Sequence, residues 1–162
     1  MVTFKGKPLH LVGTLLKIGD HLPSFTLTGA DMKTVSAESF HGKTLLISTV
    51  PSLDTAVCSL QSKHFEEEAV KYPDVQLITV SMDLPFAQAR WAKESACSHM
   101  PLFSDYKEHS FAKATGLLIN ELKLLARAVH IFDKEGRLVY QEIVAEMTEQ
   151  PDYAKALQAL SA

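Results

Sequence analysis

The 162-residue sequence has few cysteines and no concentration of positive charge. Its two cysteines, Cys58 and Cys97, are too few for a scaffold held together by disulfides. In a reducing compartment such a pair is more typical of catalysis or redox activity than of structure. The net charge of −3 and the lack of a basic cluster give no electrostatic reason to expect nucleic acid or an anionic membrane as a partner.

A secretory signal and a long apolar run are also missing. The N-terminal segment MVTFKGKPLHLVG has neither the apolar core nor the cleavage site of a signal peptide, and no run reaches the length of a membrane span. We therefore expect a soluble, cytoplasmic protein. The length and the 46% hydrophobic content predict one globular domain over residues 1–162, without repeats or linkers.

Motifs for metals and nucleotides are missing as well. The seven histidines do not pair with each other or with cysteine at the spacing of metal ligands. The seven glycines are scattered and form no dinucleotide-binding or phosphate-binding loop. No Cys-x-x-Cys motif is present, which argues against an ordinary dithiol oxidoreductase. We therefore expect no metal and no cofactor.

The stretch around Cys58 carries the main chemical signal. An apolar run over residues 45–50, bounded by Pro51, predicts a strand buried on both faces, and the residues after Thr55 have helical composition. Cys58 is therefore expected in the first turn of a helix, where unpaired N–H groups and the helix dipole stabilise a thiolate. The Thr55 hydroxyl can contact the sulfur or a substrate oxygen. The alternative is that Cys58 is an inert buried residue.

The other segments predict a mixed α/β fold. Apolar strands alternate with helical segments, an order typical of a central mixed sheet flanked by helices. The predicted elements are an N-terminal hairpin of residues 2–5 and 9–12, a strand over 75–80, a helix opening near Pro85, a helix over 111–115 ended by Gly116, a hairpin of strands 128–132 and 138–144, and a closing helix from Pro151 to about Leu160. In the helix after Thr55, an apolar face is predicted for Leu60, Phe65, Ala69 and Tyr72, and a solvated face for Glu66, Glu67 and Glu68.

The spacing Pro-x-x-x-Thr-x-x-Cys, formed by Pro51, Thr55 and Cys58, resembles the peroxiredoxin signature. The segment PSLDTAVC resembles the version found in the bacterial thiol peroxidase subfamily, of the atypical two-cysteine type. Later segments resemble the same subfamily in order and content: SMDLPFAQARW, LFSDY, LLARAVHIFDKEG and EQPDYAKALQAL. The resemblance implies a thioredoxin fold with an N-terminal β-hairpin extension, and a homodimer. It also implies a thiol-specific peroxidase for hydrogen peroxide and organic hydroperoxides, acting in antioxidant defence and re-reduced by thioredoxin.

The resemblance assigns roles to individual residues. Cys58 is the peroxidatic cysteine, and Arg127 in LLAR is similar to the peroxiredoxin active-site arginine. Thr55 and nearby backbone N–H groups supply hydrogen-bond donors, and Pro51 shields the sulfur. The sequence itself favours a functional Arg127 over a surface salt bridge, because an unpaired cation in the apolar segment LLARAV is costly. Trp91 and His64 are left outside the predicted site.

The second cysteine departs from the subfamily pattern. Counted from SMDLPFAQ, the resemblance places the resolving cysteine at Ala92, whereas Cys97 comes five residues later. That displacement is about 7.5 Å along an α-helix, so Cys97 cannot replace residue 92 on the same rigid helix. We nevertheless predict that Cys97 resolves the Cys58 sulfenic acid, which requires either that the helix ends earlier or that a larger rearrangement brings Cys97 to Cys58. The alternatives are a one-cysteine peroxidase with an external thiol and Cys97 as an apolar plug, or a non-enzymatic thiol redox sensor. The segment NELKLLAR also lacks the glycine-bearing loop expected before Arg127.

Overall fold

A computed structural model describes residues 1–161 of the chain. Within this range eleven strands and four α-helices alternate in an α/β arrangement. The strands are β1 (Val2–Phe4), β2 (Lys7–Leu9), β3 (Leu11–Val12), β4 (Thr26–Thr28), β5 (Thr34–Ser36), β6 (Thr44–Thr49), β7 (Val75–Ser81), β8 (Leu102–Ser104), β9 (Leu118–Ile119), β10 (Ala128–Phe132) and β11 (Leu138–Ile143). The helices are α1 (Ala56–Ala69), α2 (Pro85–Glu94), α3 (Ser110–Thr115) and α4 (Tyr153–Leu160).

A seven-stranded mixed sheet forms the centre of the fold, in the order β11-β10-β6-β7-β8-β4-β5. The β6–β7 and β7–β8 pairs are parallel and the others are antiparallel. Successive residues of β6 point to opposite faces, so Leu46 packs with Phe65 of α1, whereas Leu45 and Ile47 pack in a second cluster with Phe111 of α3. The predicted central mixed sheet flanked by helices is confirmed.

The N-terminal hairpin is confirmed, but its second strand lies earlier than predicted. β1 pairs with β2 across a turn in which Lys5 and Gly6 both have positive φ, of 50° and 79°. Two such residues are what a two-residue hairpin turn requires. The prediction that residues 9–12 form this strand is wrong, because β3 instead pairs with β9.

The predicted faces of α1 are partly wrong. Phe65 is buried as expected, but Leu60 is 52% exposed because five residues turn the helix by about 140° from Phe65. Glu66 is only 7% exposed, whereas a solvated position was predicted. Its carboxylate accepts hydrogen bonds from backbone N–H groups in the loop after α2, and these bonds offset the cost of burying the charge.

The remaining predicted elements agree with the structure apart from the start of the last helix. Pro85 is the first residue of α2, Gly116 ends α3 in the left-handed conformation, and β10 and β11 form the predicted hairpin. The closing helix begins at Tyr153 rather than at Pro151, because Asp152 caps it by accepting the N–H of Lys155. None of the helices within residues 1–161 is long and apolar enough to span a membrane.

Candidate active site

Cys58 lies in the first turn of α1, where the chain arrives from the end of β6. Thr55 is the N-cap residue of this helix, with an extended backbone (φ −100°, ψ 146°). Its Oγ1 accepts the N–H of Cys58 at 3.3 Å and donates to the carbonyl oxygen of Ser52 at 3.3 Å. Cys58 is completely buried. Its sulfur therefore lies at the positive end of the helix dipole, out of contact with bulk water.

Arg127 places its guanidinium directly against the sulfur of Cys58. Arg127 immediately precedes β10, which pairs with β6, so the two strand ends bring the two side chains together. Its Nη2 donates to Cys58 Sγ at 3.1 Å, and the side chain is only 2% exposed. A fixed cation 3.1 Å from the sulfur, in a poorly solvated environment, stabilises negative charge there more strongly than it could in water.

Two further groups hold this guanidinium in place. Arg127 Nε and Nη2 both donate to the carbonyl oxygen of Met147, at 3.2 and 2.8 Å, and Nη1 donates to Gln61 Oε1 at 3.0 Å. Gln61 is itself buried and donates through Nε2 to Ser48 Oγ at 2.8 Å. All three guanidinium nitrogens of Arg127 are thus paired in one network.

Sequence reasoning does not identify Gln61 or Met147. A signal for Gln61 was available, since it lies three residues after Cys58 and such residues share a helix face. Met147 acts through its backbone carbonyl, which no residue pattern reveals. Its position depends on how the chain returns after β11.

A small pocket of about 120 Å³ opens beside Arg127. Pro51, which is buried, forms part of its wall together with Thr55. Most of the remaining lining is apolar, and the pocket includes a residue of the N-terminal hairpin. The lining residues are Phe4, Pro51, Thr55, Ala56, Val57, Arg127, Met147 and Thr148. The structure therefore brings Pro51, Thr55, Cys58 and Arg127 into one site next to a mainly apolar pocket.

Cys97 lies just after α2, in a tight reversal of the chain. The helix ends at Glu94, and Ala96 adopts the left-handed conformation with φ 54°. The N–H of Cys97 donates to the carbonyl oxygen of Ala92 at 2.9 Å, and that of Ala96 to Lys93 at 3.3 Å. These two bonds form a Schellman motif, which folds the chain back onto the last helical turn. The helix thus ends three residues before Cys97, which is the first of the two arrangements that the sequence analysis considered for this cysteine.

The reversal places Cys97 on the same apolar cluster as Cys58. Ala92 and Cys97 both pack against this cluster, whose buried members are Val50, Leu53, Cys58 and Trp91. Burial, followed by the negative charge of Glu66, raises the pKa of the Cys97 thiol. Cys97 is partly exposed and therefore accessible from solvent.

The two aromatic residues left outside the predicted site differ in location. Trp91 packs in the cluster that contains Cys58 and donates through Nε1 to Ser59 Oγ at 3.1 Å. His64 stacks on Tyr153 of α4, with 3.9 Å between ring centroids.

Within residues 1–161, no group of three or more His, Cys, Asp or Glu residues is placed to hold a metal ion.

A mixed sheet with flanking helices and a cysteine at the helix start after a central strand defines a protein of the thioredoxin-fold class. The Redoxin family model matches residues 17–157, and the chain belongs to that family, as a member of the peroxiredoxin superfamily and its thiol peroxidase subfamily. It is 45% identical to a thiol peroxidase of Halalkalibacterium halodurans over 161 residues, which cover 99% of this chain and 97% of the relative. A thiol peroxidase of Bacillus subtilis is 44% identical, with coverage of 99% and 96%.

Solved structures show the same fold. A peroxiredoxin-like protein from Aquifex aeolicus has a TM-score of 0.93 and 37% identity, with 99% of this chain and 95% of that chain covered. A thiol peroxidase from Chromobacterium violaceum has a TM-score of 0.90 and 25% identity, with coverage of 99% and 94%. The predicted thioredoxin fold and the resemblance to thiol peroxidases are confirmed.

Proposed function

We propose that this protein is a thiol peroxidase that reduces hydrogen peroxide and organic hydroperoxides at Cys58 and contributes to antioxidant defence. The observation that carries the proposal is the 3.1 Å contact between Arg127 Nη2 and Cys58 Sγ inside a buried network. The names of the relatives support the same activity. An inert structural cysteine has no need of a buried arginine held by three acceptors.

In the first step, the Cys58 thiolate attacks one oxygen of the peroxide. The S–O bond forms as the O–O bond breaks, Cys58 becomes a sulfenic acid, and the leaving oxygen takes a proton to give water or an alcohol. Arg127 and the free N–H groups of the first turn of α1 stabilise the negative charge that develops on the oxygens. Thr55 orients this turn through its cap, and Pro51 limits access of water to the sulfur.

In the second step, the Cys97 thiol attacks the sulfur of the Cys58 sulfenic acid. A disulfide forms and water leaves, with the thiol proton transferred to the departing oxygen. A disulfide requires the two Cα atoms within about 7 Å. In the proposed step the first turns of α1 open, because the sulfur of Cys58 is completely buried in the closed structure. The packing of Cys97 on the Cys58 cluster supports this assignment.

In the third step, a thiol reductant regenerates the two free cysteines. Thioredoxin is proposed for this role on the basis of the family resemblance. A homodimer, a cytoplasmic location and a single domain over residues 1–162 stay predictions from the sequence. The peroxide is the oxidised substrate, and no further cofactor enters the three steps.

A steady-state assay tests the proposal against its alternatives. With hydrogen peroxide or cumene hydroperoxide and a thioredoxin system, we expect many turnovers per protein molecule. Oxidation that stops after one equivalent of peroxide supports a redox sensor instead. Turnover that a small external thiol supports equally well in Cys97→Ser and in the parent indicates a one-cysteine peroxidase.

A further inference from the structure

Glu66 forms a compact set of hydrogen bonds to the loop that follows Cys97. Its Oε1 accepts the N–H of Ser98 at 2.7 Å, the N–H of His99 at 2.7 Å and His99 Nδ1 at 2.9 Å. Its Oε2 accepts the N–H of Met100 at 2.7 Å. One buried carboxylate thus binds three consecutive backbone amides, an arrangement that specifically favours its ionised form.

The charge of Glu66 is retained despite its burial. Burial alone would raise the pKa of this carboxyl, but its bonds from His99, Met100 and Ser98 lower the pKa below the ordinary value. A buried carboxylate that lost these partners would be costly, so the loop and the carboxylate hold each other in place. The contact is a fixed one rather than a solvated surface pair.

This contact joins the two segments that carry the cysteines. Glu66 and Cys58 belong to the same helix, eight residues or about 12 Å apart along its axis. The backbone N–H of Cys97 is bonded to Ala92 at the end of α2. The three residues that directly follow Cys97 are bonded through their amides to Glu66. The position of the Cys97 thiol relative to α1 is therefore set by Glu66.

We propose that Glu66 is a positioning residue for the resolving step, an inference that rests on the proposed function. In the proposed second step the first turns of α1 open to release Cys58, but Glu66 lies two turns further on. It keeps the Cys97 loop docked on the remaining part of the helix while the oxidised Cys58 moves. The Cys97 thiol then attacks from a fixed location, which raises its effective concentration at the sulfenic acid.

Stopped-flow fluorescence tests this role, because the only tryptophan of the chain, Trp91, packs in the Cys58 cluster. A pulse of hydrogen peroxide should give a fast sulfenic-acid phase and a slower disulfide phase. In Glu66→Gln we expect an unchanged first phase and a second phase slowed about tenfold, the effect of weakening bonds to a charged group. More sulfenic acid should be trapped in this variant. Glu67→Gln is the matched control, because it removes the same charge from the exposed neighbour. The charge of Glu67, like that of Glu66, raises the pKa of the Cys97 thiol, but Glu67 makes none of the bonds to the loop amides, so its replacement should not slow the second phase.

A second phase at the parent rate or faster in folded Glu66→Gln would overturn the proposal, because removing the charge that raises the pKa of the Cys97 thiol would then outweigh any loss of positioning. If circular dichroism shows that Glu66→Gln is unfolded, Glu66→Asp decides the question. It keeps the charge but withdraws it from the amides, and a slow second phase is again expected. Failure of the proposed function looks different. It would give no first phase in the parent, or no disulfide between Cys58 and Cys97 by mass spectrometry.

Discussion

Arg127 Nη2 lies 3.1 Å from Cys58 Sγ, although the two residues are 69 positions apart in the sequence. The antiparallel pairing of β10 with β6 creates this contact, since Ala128 lies opposite Thr49 at the ends of the two strands. The contact makes the reactivity of the cysteine dependent on a distant part of the chain. Because the cysteines and the arginine come from different segments of the chain, the role of each can be tested by replacing one residue at a time.

Replacing Cys58 by serine should abolish peroxide turnover and leave the fold intact. Serine is nearly isosteric with cysteine but a far weaker nucleophile, so we expect a loss of more than about a thousandfold. Thioredoxin-coupled peroxide consumption measures the effect. Activity in Cys58→Ser comparable to that of the parent would refute the assignment, and circular dichroism serves as the control for folding.

Replacing Arg127 by alanine should slow the reaction with peroxide by about two to three orders of magnitude, the effect of removing one preorganised group that stabilises developing charge. Reduction of the preformed disulfide should slow much less. Rapid-mixing measurements of the two half-reactions separate these effects. Arg137→Ala is the matched control, because Arg137 is exposed immediately before β11, and it should leave both rates unchanged. Equal slowing of both half-reactions in Arg127→Ala would indicate a folding defect.

Replacing Cys97 by serine should stop the reaction at the sulfenic acid. After one equivalent of peroxide the parent should contain a disulfide between Cys58 and Cys97, whereas the variant should be labelled by a sulfenic-acid reagent. Mass spectrometry distinguishes the two products. Equal labelling of both proteins, with unchanged thioredoxin-dependent turnover in the variant, would show that Cys97 is only structural.

His130 should contribute to the stability of the fold at neutral pH and lose this contribution in mild acid. This side chain is 1% exposed, and burial lowers its pKa to about 4, while Gln141 accepts its one hydrogen bond. A histidine that is neutral in the folded state stabilises fully above its unfolded pKa of about 6.5, and its contribution is lost as pH falls towards 4. Between pH 7.5 and pH 5 this group should remove about 2 kcal/mol of unfolding free energy.

Urea denaturation at the two pH values tests this dependence. The matched variant is His130→Gln, which can keep a bond to Gln141 and does not titrate. The buried carboxyl of Asp105, whose pKa is raised to about 6, acts in the opposite direction and is common to both proteins. The difference between the two proteins therefore isolates His130, and identical pH profiles would contradict the prediction.

Replacing Ala96 by glycine should stabilise the end of α2. Ala96 has a φ of 54°, a region that glycine occupies without steric cost, so we expect a gain of about 0.5–1 kcal/mol in unfolding free energy. The same substitution at Ala89, on the exposed side of the helix interior, should instead cost about 1 kcal/mol. Denaturant midpoints of both variants provide the test, and equal signs would contradict the interpretation of the reversal.

The sequence predicted most of the fold because its signals are local. The apolar run before Pro51, Pro85 at a helix start and Gly116 at a helix end each specify their own element. The wrong assignments concern contacts between distant segments. The prediction that Glu66 is solvated was wrong because its hydrogen-bond partners, the amides of residues 98–100, lie more than thirty positions away in the sequence.

In the candidate site, too, the residues with local sequence signals were predicted and the contacts between distant segments were not. Cys58, Thr55 and Pro51 are readable from one short segment, and Arg127 from the cost of a cation in an apolar environment. The bond of Arg127 to the carbonyl of Met147 could not be predicted, since every residue carries that group. The location of Cys97 depended on Ala96 adopting a conformation that alanine rarely takes.

The chain reversal after α2 brings together two residues, Ala92 and Cys97, that are five positions apart in the sequence. Two backbone bonds return Cys97 to the level of Ala92, so a residue five positions downstream adjoins the turn that it has left. Position in the sequence alone would therefore place Cys97 five residues beyond Ala92, whereas the structure bonds the two residues directly. The cap therefore lets a residue outside α2 lie beside the last turn of that helix.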